Sequence, residues 1–230
     1  MIRTPRTGFR KGVVLAVLAY LVVGSCPAAA GETSLGLGLG ATAGFGVQAD
    51  LTFHEFTRSA PLSLRVSGAY SSRDAGQALD ARRVFINDNT NGTPEQSANT
   101  WQLRLDLMVP LTRLGGAPVQ LGIGGRKAFF TSTFDFVGGN EKFDVVSNPW
   151  GAGIFVEAAF DVSSRADFTL RLGVDHFFKA RLEGHDTAYE PDGDDVNPRN
   201  DYTWDDADQA VNQPRTEPFG LVGLRLRLGG

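Results

Sequence analysis

A two-residue alternation runs through one segment of this chain after another, with Leu, Val, Ile or Phe at one parity and Gly, Ser, Arg or Asp at the other. Trp101 to Leu111 carries it most plainly: Trp101, Leu103, Leu105, Leu107, Val109 and Leu111 share one parity, and Gln102, Arg104, Asp106 and Met108 the other. Successive side chains of a β-strand point to opposite faces, so such a segment has one oily face and one polar face. Something apolar must cover the oily face, and the choice between a protein core and lipid decides what the chain can be.

The first thirty residues supply an independent clue. Arg3, Arg6, Arg10 and Lys11 precede an uncharged run from Val13 to Val23, and Ala28-Ala29-Ala30 follows. A basic stretch, an apolar stretch and a small-residue cleavage site come in the order of a secretory signal peptide. The run is shorter than the roughly 20 apolar residues that span a bilayer. The expectation is therefore a cleaved signal peptide over 1–30 and one domain over 31–230. A rival reading processes the chain as a lipoprotein, with Cys26 acylated and retained. Cleavage after Ala30 removes Cys26, the only cysteine, so no disulfide staples the exported domain. Acidic residues outnumber basic ones, 26 to 22, which argues against a nucleic-acid partner.

The alternation predicts eight strands. A pair lies between Thr33 and Phe56, a third strand carries Leu62 to Tyr70, and the fourth runs from Trp101 to Leu111. Val119 to Phe129, Trp150 to Phe160, Phe168 to Phe178 and Val222 to Leu228 complete the set. Apart from the seven residues given for the last, each has about the 9 to 11 residues of a tilted membrane strand. Short connections (57–61, 113–118, 162–166) alternate with long polar ones (73–99, 131–149, 180–218). In an up-and-down meander this puts the short turns at one rim and the long loops at the other, as in outer-membrane barrels with short periplasmic turns and long extracellular loops. Val84-Phe85-Ile86 reads as a strand extension above the membrane, and the acid-rich stretch from Ala180 to Pro218 as a solvated, mobile loop.

Alternation is shared by soluble lipid-binding barrels, whose apolar set faces inward. Three features turn the apolar set outward here. Lysine is confined to Lys11, Lys127, Lys142 and Lys179, whereas a soluble surface carries many. Glycine recurs on the polar parity at 36, 38, 40, 46, 122, 124, 151 and 153, where it relieves crowding in a narrow barrel. Aromatic residues of the apolar parity fall in two girdles, Tyr70, Trp101, Phe129, Trp150 and Phe178 by the long loops and Phe53, Phe160 and Phe168 by the short turns, as expected at two membrane interfaces.

With these strands, girdles and loops the chain resembles the small eight-stranded outer-membrane barrels, of the OmpA transmembrane domain and OmpX type, from about Thr33 to Leu228. The resemblance implies an all-β fold, an eight-stranded antiparallel up-and-down transmembrane β-barrel, in the outer membrane of a Gram-negative-type envelope. It also implies the barrel assembly machinery as a partner. That family's last strand typically ends in an aromatic residue read by the machinery; here Leu224, Leu226 and Leu228 are followed by Gly229-Gly230.

An outward apolar set sends Gln48 and His54 into the lumen with a charge network of Asp50, Arg65, Arg104, Asp106, Arg126, Glu157, Arg171, Asp175, Arg225 and Arg227. Eight strands leave just enough space for side chains to fill, and buried ions persist only when paired. The network reads first as a structural plug and the long loops as the interaction surface. The alternative is a narrow pore for ions or small solutes, which would favour anions because Arg outnumbers acid on this face. Less favoured are a lipid-processing enzyme, for which His54, His176 and His185 offer no nucleophile motif, and a soluble periplasmic lipid-binding barrel. The last loop holds many carboxylates, but their spacing does not match a calcium loop, so neither a metal nor a cofactor is expected. Tyr202 and Trp204 among those acids suit contact with a partner or with lipopolysaccharide at the outer-membrane lipid surface.

Overall fold

The computed structural model describes residues 32–57, 60–199 and 202–228. The signal-peptide expectation, the Cys26 alternative and Gly229-Gly230 lie outside the described residues. Among the described residues, eleven strands and two helices follow in chain order: β1 Thr33–Thr42, β2 Phe45–Phe53, β3 Ser63–Arg73, α1 Ala78–Phe85, β4 Thr93–Leu114, β5 Ala117–Val137 and β6 Glu141–Ser147. Then come β7 Trp150–Ser163, β8 Ala166–Phe177, β9 Leu182–Gly184, β10 Thr187–Tyr189, α2 Trp204–Ala210 and β11 Thr216–Arg227.

Eight of these close on themselves. The antiparallel ladder runs β1-β2-β3-β4-β5, passes from β5 to β7, continues through β8 to β11, and returns to β1. Closure leaves no barrel strand with an unpaired edge. Register follows the alternation: Arg65 faces Asp106 across β3 and β4, and Glu157 faces Arg171 across β7 and β8. At the short-turn rim, Gly115 and Gly116 take φ of +57° and +91° and join Leu114 to its partner Ala117. A two-residue turn of that hand needs positive φ at both positions, which glycine adopts without strain.

The two faces divide by parity. Leu37 is 64% exposed and Trp150 65%, in an outer face that also carries Leu39, Val47, Leu105, Leu107, Ile123, Leu172 and Leu224. Arg65, at 0% exposed, is turned inward with Arg104, Asp106, Arg126 and Glu157. Of the girdle residues, Trp101, Trp150, Phe160, Phe168 and Phe178 are exposed on the outside, and Tyr70 and Phe129 are half-buried. Trp101 and Tyr70 pack together with ring centroids 4.9 Å apart. Phe53 departs from the girdle expectation at 5% exposed. It ends β2 where the chain folds over the rim, with His54 N donating to Glu32 O and Phe56 N to Leu62 O, so its ring has no open outer face.

Above the barrel the parity rule reverses. On β5 the inward residues Phe130, Phe134 and Phe136 are buried and apolar, while their outward neighbours are Thr131, Thr133 and Asp135. These phenylalanines join Ala78, Ala81, Val84 and Phe85 of α1, Phe143 and Val145 of β6, Leu182, Tyr189, and Trp204, Ala207 and Ala210 of α2 in one core. The long connections are thus a folded cap, which corrects three expectations: Trp204, expected as a contact for a partner or for lipopolysaccharide, is instead buried in this core, its Nε1 donating to Ala180 O at 2.9 Å. Val84-Phe85 belongs to α1, because Ala78, Ala81, Val84 and Phe85 recur at helical spacing and bury one stripe. The described residues after Ala180 form β9, β10 and α2, whose capping box pairs Thr203 with Asp206.

Candidate functional site

Luminal side chains build two ionic layers. In the layer nearer the short turns, Arg65 Nη1 and Nη2 donate to Glu157 at 2.8 and 2.7 Å. Arg171 donates to the same carboxylate at 2.7 Å and to Asp50 at 3.1 Å. In the other layer, Arg104 reaches Asp175 at 2.5 Å, and Arg126 reaches Asp175 at 2.7 Å and Asp106 at 2.6 Å. Gln48 connects the layers, accepting from Arg104 at 3.0 Å and lying 3.5 Å from Asp50. Between them Met108, Phe155, Phe219 and Leu221 form an apolar belt. Arg65 and Arg171 stack on one ring of that belt, at 5.6 and 5.3 Å from the Phe155 centroid, and Arg104 on another, 4.5 Å from Phe219.

Space for this packing comes from small residues on the facing strands. A Cβ at Gly122 would lie 2.2 Å from the Phe155 ring, and one at Gly153 would lie 2.1 Å from Asp175 Oδ1. At Gly36 it would lie 2.5 Å from Asp50 Oδ1. Any larger residue there would have to displace a member of a layer.

Toward the short-turn rim, Arg225 donates to Asp167 at 2.9 and 2.7 Å, and Arg227 reaches Asp167 at 2.5 Å and Asp161 at 2.6 Å. Arg227 is partly exposed there, while the other nine charges of the expected network are buried. Toward the long-loop rim a further buried pair, Arg73 with Glu217 at 2.7 Å, lies under Phe130. Asp167, Arg73 and Glu217 lie outside the set that the sequence indicates. Asp167 shares the parity of Arg171 and Asp175, the one signal that points to it. Its inclusion also corrects the charge balance: Arg65, Arg104, Arg126, Arg171 and Arg225 are matched by Asp50, Asp106, Glu157, Asp167 and Asp175, so the buried lumen carries no excess of positive charge.

The histidines lie apart. His54, just beyond β2, shares a 2.8 Å hydrogen bond with Ser34 Oγ. Burial, then the charges of Arg225 and Arg65, lower its pKa to about 4. Ser34 is 0% exposed, while His54 is half-buried. His176 bonds Thr216 on the outside of the barrel, and His185 bonds Asp186 in the cap. Among the described residues no group of three or more His, Cys, Asp or Glu is placed to hold a metal.

A closed barrel with an ion-paired lumen and an apolar exterior defines the class of transmembrane β-barrels. Among solved structures the chain is similar to a major outer membrane protein from Thermus thermophilus, at 21% identity over 86% of this chain and 99% of that one, with a TM-score of 0.68. It is also similar to Neisserial surface protein A (11% identity, 86% and 95% covered, TM-score 0.42) and to CarO2 of Acinetobacter baumannii (12%, 86% and 99%, 0.43). No family model and no curated protein matches it. The first likeness carries the fold, a closed eight-stranded antiparallel barrel.

Proposed function

We propose that the chain is an integral outer-membrane barrel that does not conduct, and that it serves as a rigid anchor presenting its folded cap at the cell surface. The observation that carries this reading is the filled lumen. Between Gly36, Asp50, Arg65, Glu157, Arg171 and Arg225 the free space amounts to about 10 Å³, no more than one water molecule needs. A second hollow, of about 320 Å³ and lined by His54, Glu55, Gln120, Arg225 and Arg227, opens at the short-turn rim and has Glu157 in its wall. It is a vestibule that meets the ionic layer, with the apolar belt beyond.

A surface role for the cap is favoured by its order. A 17-residue buried core fixes the exposed polar side chains of β6, β9 and α2 on a rigid base, and a pre-ordered surface binds without the entropy of ordering a loop. Lipopolysaccharide, the assembly machinery and an extracellular ligand remain the proposed partners. Planar-bilayer recording on the purified barrel tests the central point: no stepwise conductance is expected, and discrete openings from the wild-type chain would replace the plug with the pore.

A further inference from the structure

One ammonium group faces the wrong solvent. Lys127 sits on the outward parity of β5, between Gly125 and Phe129, with Leu103 opposite on β4 and Trp150 opposite on β7. Its neighbours along that face are Leu121, Ile123 and Leu105, an environment of lipid chains in which a lone cation is costly. The side chain bends toward the long-loop rim: Nζ donates to Asn148 O at 2.5 Å and lies over the Trp150 ring at 4.7 Å and the Phe129 ring at 5.9 Å. A lysine stem lying on apolar surface with its head drawn to the interface is the usual way of placing a charge at the membrane boundary.

The other described lysines have carboxylate partners. Lys142 pairs with Asp135 at 2.8 Å and Lys179 with Asp205 at 3.4 Å. Lys127 has none among the described residues, and its one carbonyl acceptor uses one of three donor hydrogens. One register step toward the membrane centre, Gly125 pairs with Ala152. Both are exposed, and a Cβ added at Gly125 would meet nothing within 4 Å. The outer surface is therefore hollowed directly beneath the cation and the indole. A cation at the interface above an apolar slot is complementary to a molecule with an anionic head and an aliphatic tail.

We propose that Lys127, Trp150 and the Gly125–Ala152 slot form a binding site for one phosphate-bearing lipid of the leaflet on the long-loop side. The phosphate oxygens accept from Lys127 Nζ, and one acyl chain lies across Gly125 and Ala152 against Leu105. The site rests on the membrane reading above and specifies where on the barrel a particular lipid is held.

The test is native mass spectrometry of the full chain in an uncharged detergent, titrated with phosphatidylglycerol or with a diacylglycerol of the same chains. The wild type should retain phosphatidylglycerol at least about fivefold better than diacylglycerol, and Lys127→Gln should lose about that factor, the value of one lysine at an anionic lipid surface. Lys127→Arg should keep the preference, and Lys142→Gln, which removes an exposed lysine of the cap, should leave it unchanged. Equal retention of the two lipids by the wild type overturns the site, as does an undiminished preference in Lys127→Gln or an equal loss in Lys142→Gln. The folded barrel's heat-dependent gel migration, followed in the same samples, reports on the membrane-barrel reading separately, because loss of a lipid preference leaves it unaltered.

Discussion

At the scale of single residues, the lumen is governed by the cost of unpaired charge. Glu157 holds Arg65 through two hydrogen bonds and Arg171 through a third. Glu157→Gln leaves both guanidinium groups with Asp50 as their one carboxylate partner, at 3.5 Å from Arg65 and 3.1 Å from Arg171, a loss expected to reach about 3–5 kcal/mol, as for one partner removed from a buried pair. Guanidinium unfolding in detergent should show it, and should show a smaller loss for Arg65→Met combined with Glu157→Leu, which removes the charges together. A single variant milder than the double would contradict the plug. His54 sets a pH dependence at the rim. Its folded pKa of about 4 lies below its ordinary 6.5, so the native state disfavours the proton. That stability is complete above about 6.5 and is lost as the pH falls from there toward 4. Unfolding midpoints at pH 7 and pH 4 should differ less in His54→Gln than in the wild type. Much of this residue-scale design is legible in the sequence: parity alone places Arg65, Arg104, Asp106, Arg126, Glu157, Arg171 and Asp175 on one face. Asp167 is not, because the boundary between strand and turn cannot be set from hydrophobicity when the strand's first inward residue is itself an acid.

At the scale of elements, the spanning strands declare themselves and the cap does not. A strand between lipid and an ionic lumen alternates strongly, whereas α1 and α2 are each about two turns long and bury only a narrow stripe. Their signals are local. Thr203 followed three residues later by Asp206 is a capping pattern, and Trp204, Ala207 and Ala210 recur every three residues. Arg82 shows how the cap is held. Fully buried on α1, it ion-pairs with Glu141 of β6, donates to Asn91 O at 2.7 Å and lies 4.1 Å from the centre of the Phe136 ring. Glu141 in turn is held below the usual carboxylate range by its hydrogen bonds from Arg82 and Asn87. Arg82→Ala removes charge-assisted hydrogen bonds worth about 1.5–3 kcal/mol each together with the stacking on Phe136. The expected outcome is faster proteolysis within 74–92 with unchanged heat-dependent gel migration. Unfolding of the barrel by this variant would mean that cap and barrel share one core.

For the whole molecule, the membrane boundary is written as an exchange of faces along a continuous strand. Up to Phe129, β5 turns its apolar residues outward; from Phe130 to Phe136 it turns them inward. The inside-out barrel and the right-side-out cap are therefore two solutions to burial on the same ladder, and the boundary is present in the sequence as the point where parity switches. Two deletions distinguish their contributions. His176 on β8 pairs directly with Thr216 on β11, so residues 179–213 can be replaced by a short Asn-Gly turn without separating the strands. That change removes Leu182, Tyr189, Trp204, Ala207, Ala210 and Val211 from the cap core and leaves every barrel pairing in place. Deleting 216–228 instead removes the strand that joins β8 to β1 and leaves two open edges facing lipid, where unsatisfied backbone groups are not tolerated. The loop replacement should still insert into lipid vesicles and migrate as a folded barrel before heating, while α1 and β6 become sensitive to protease. The strand deletion should do neither. If the loop replacement failed to insert, the cap would be part of the barrel's folding core, and the reading of the barrel as a self-sufficient anchor would be lost.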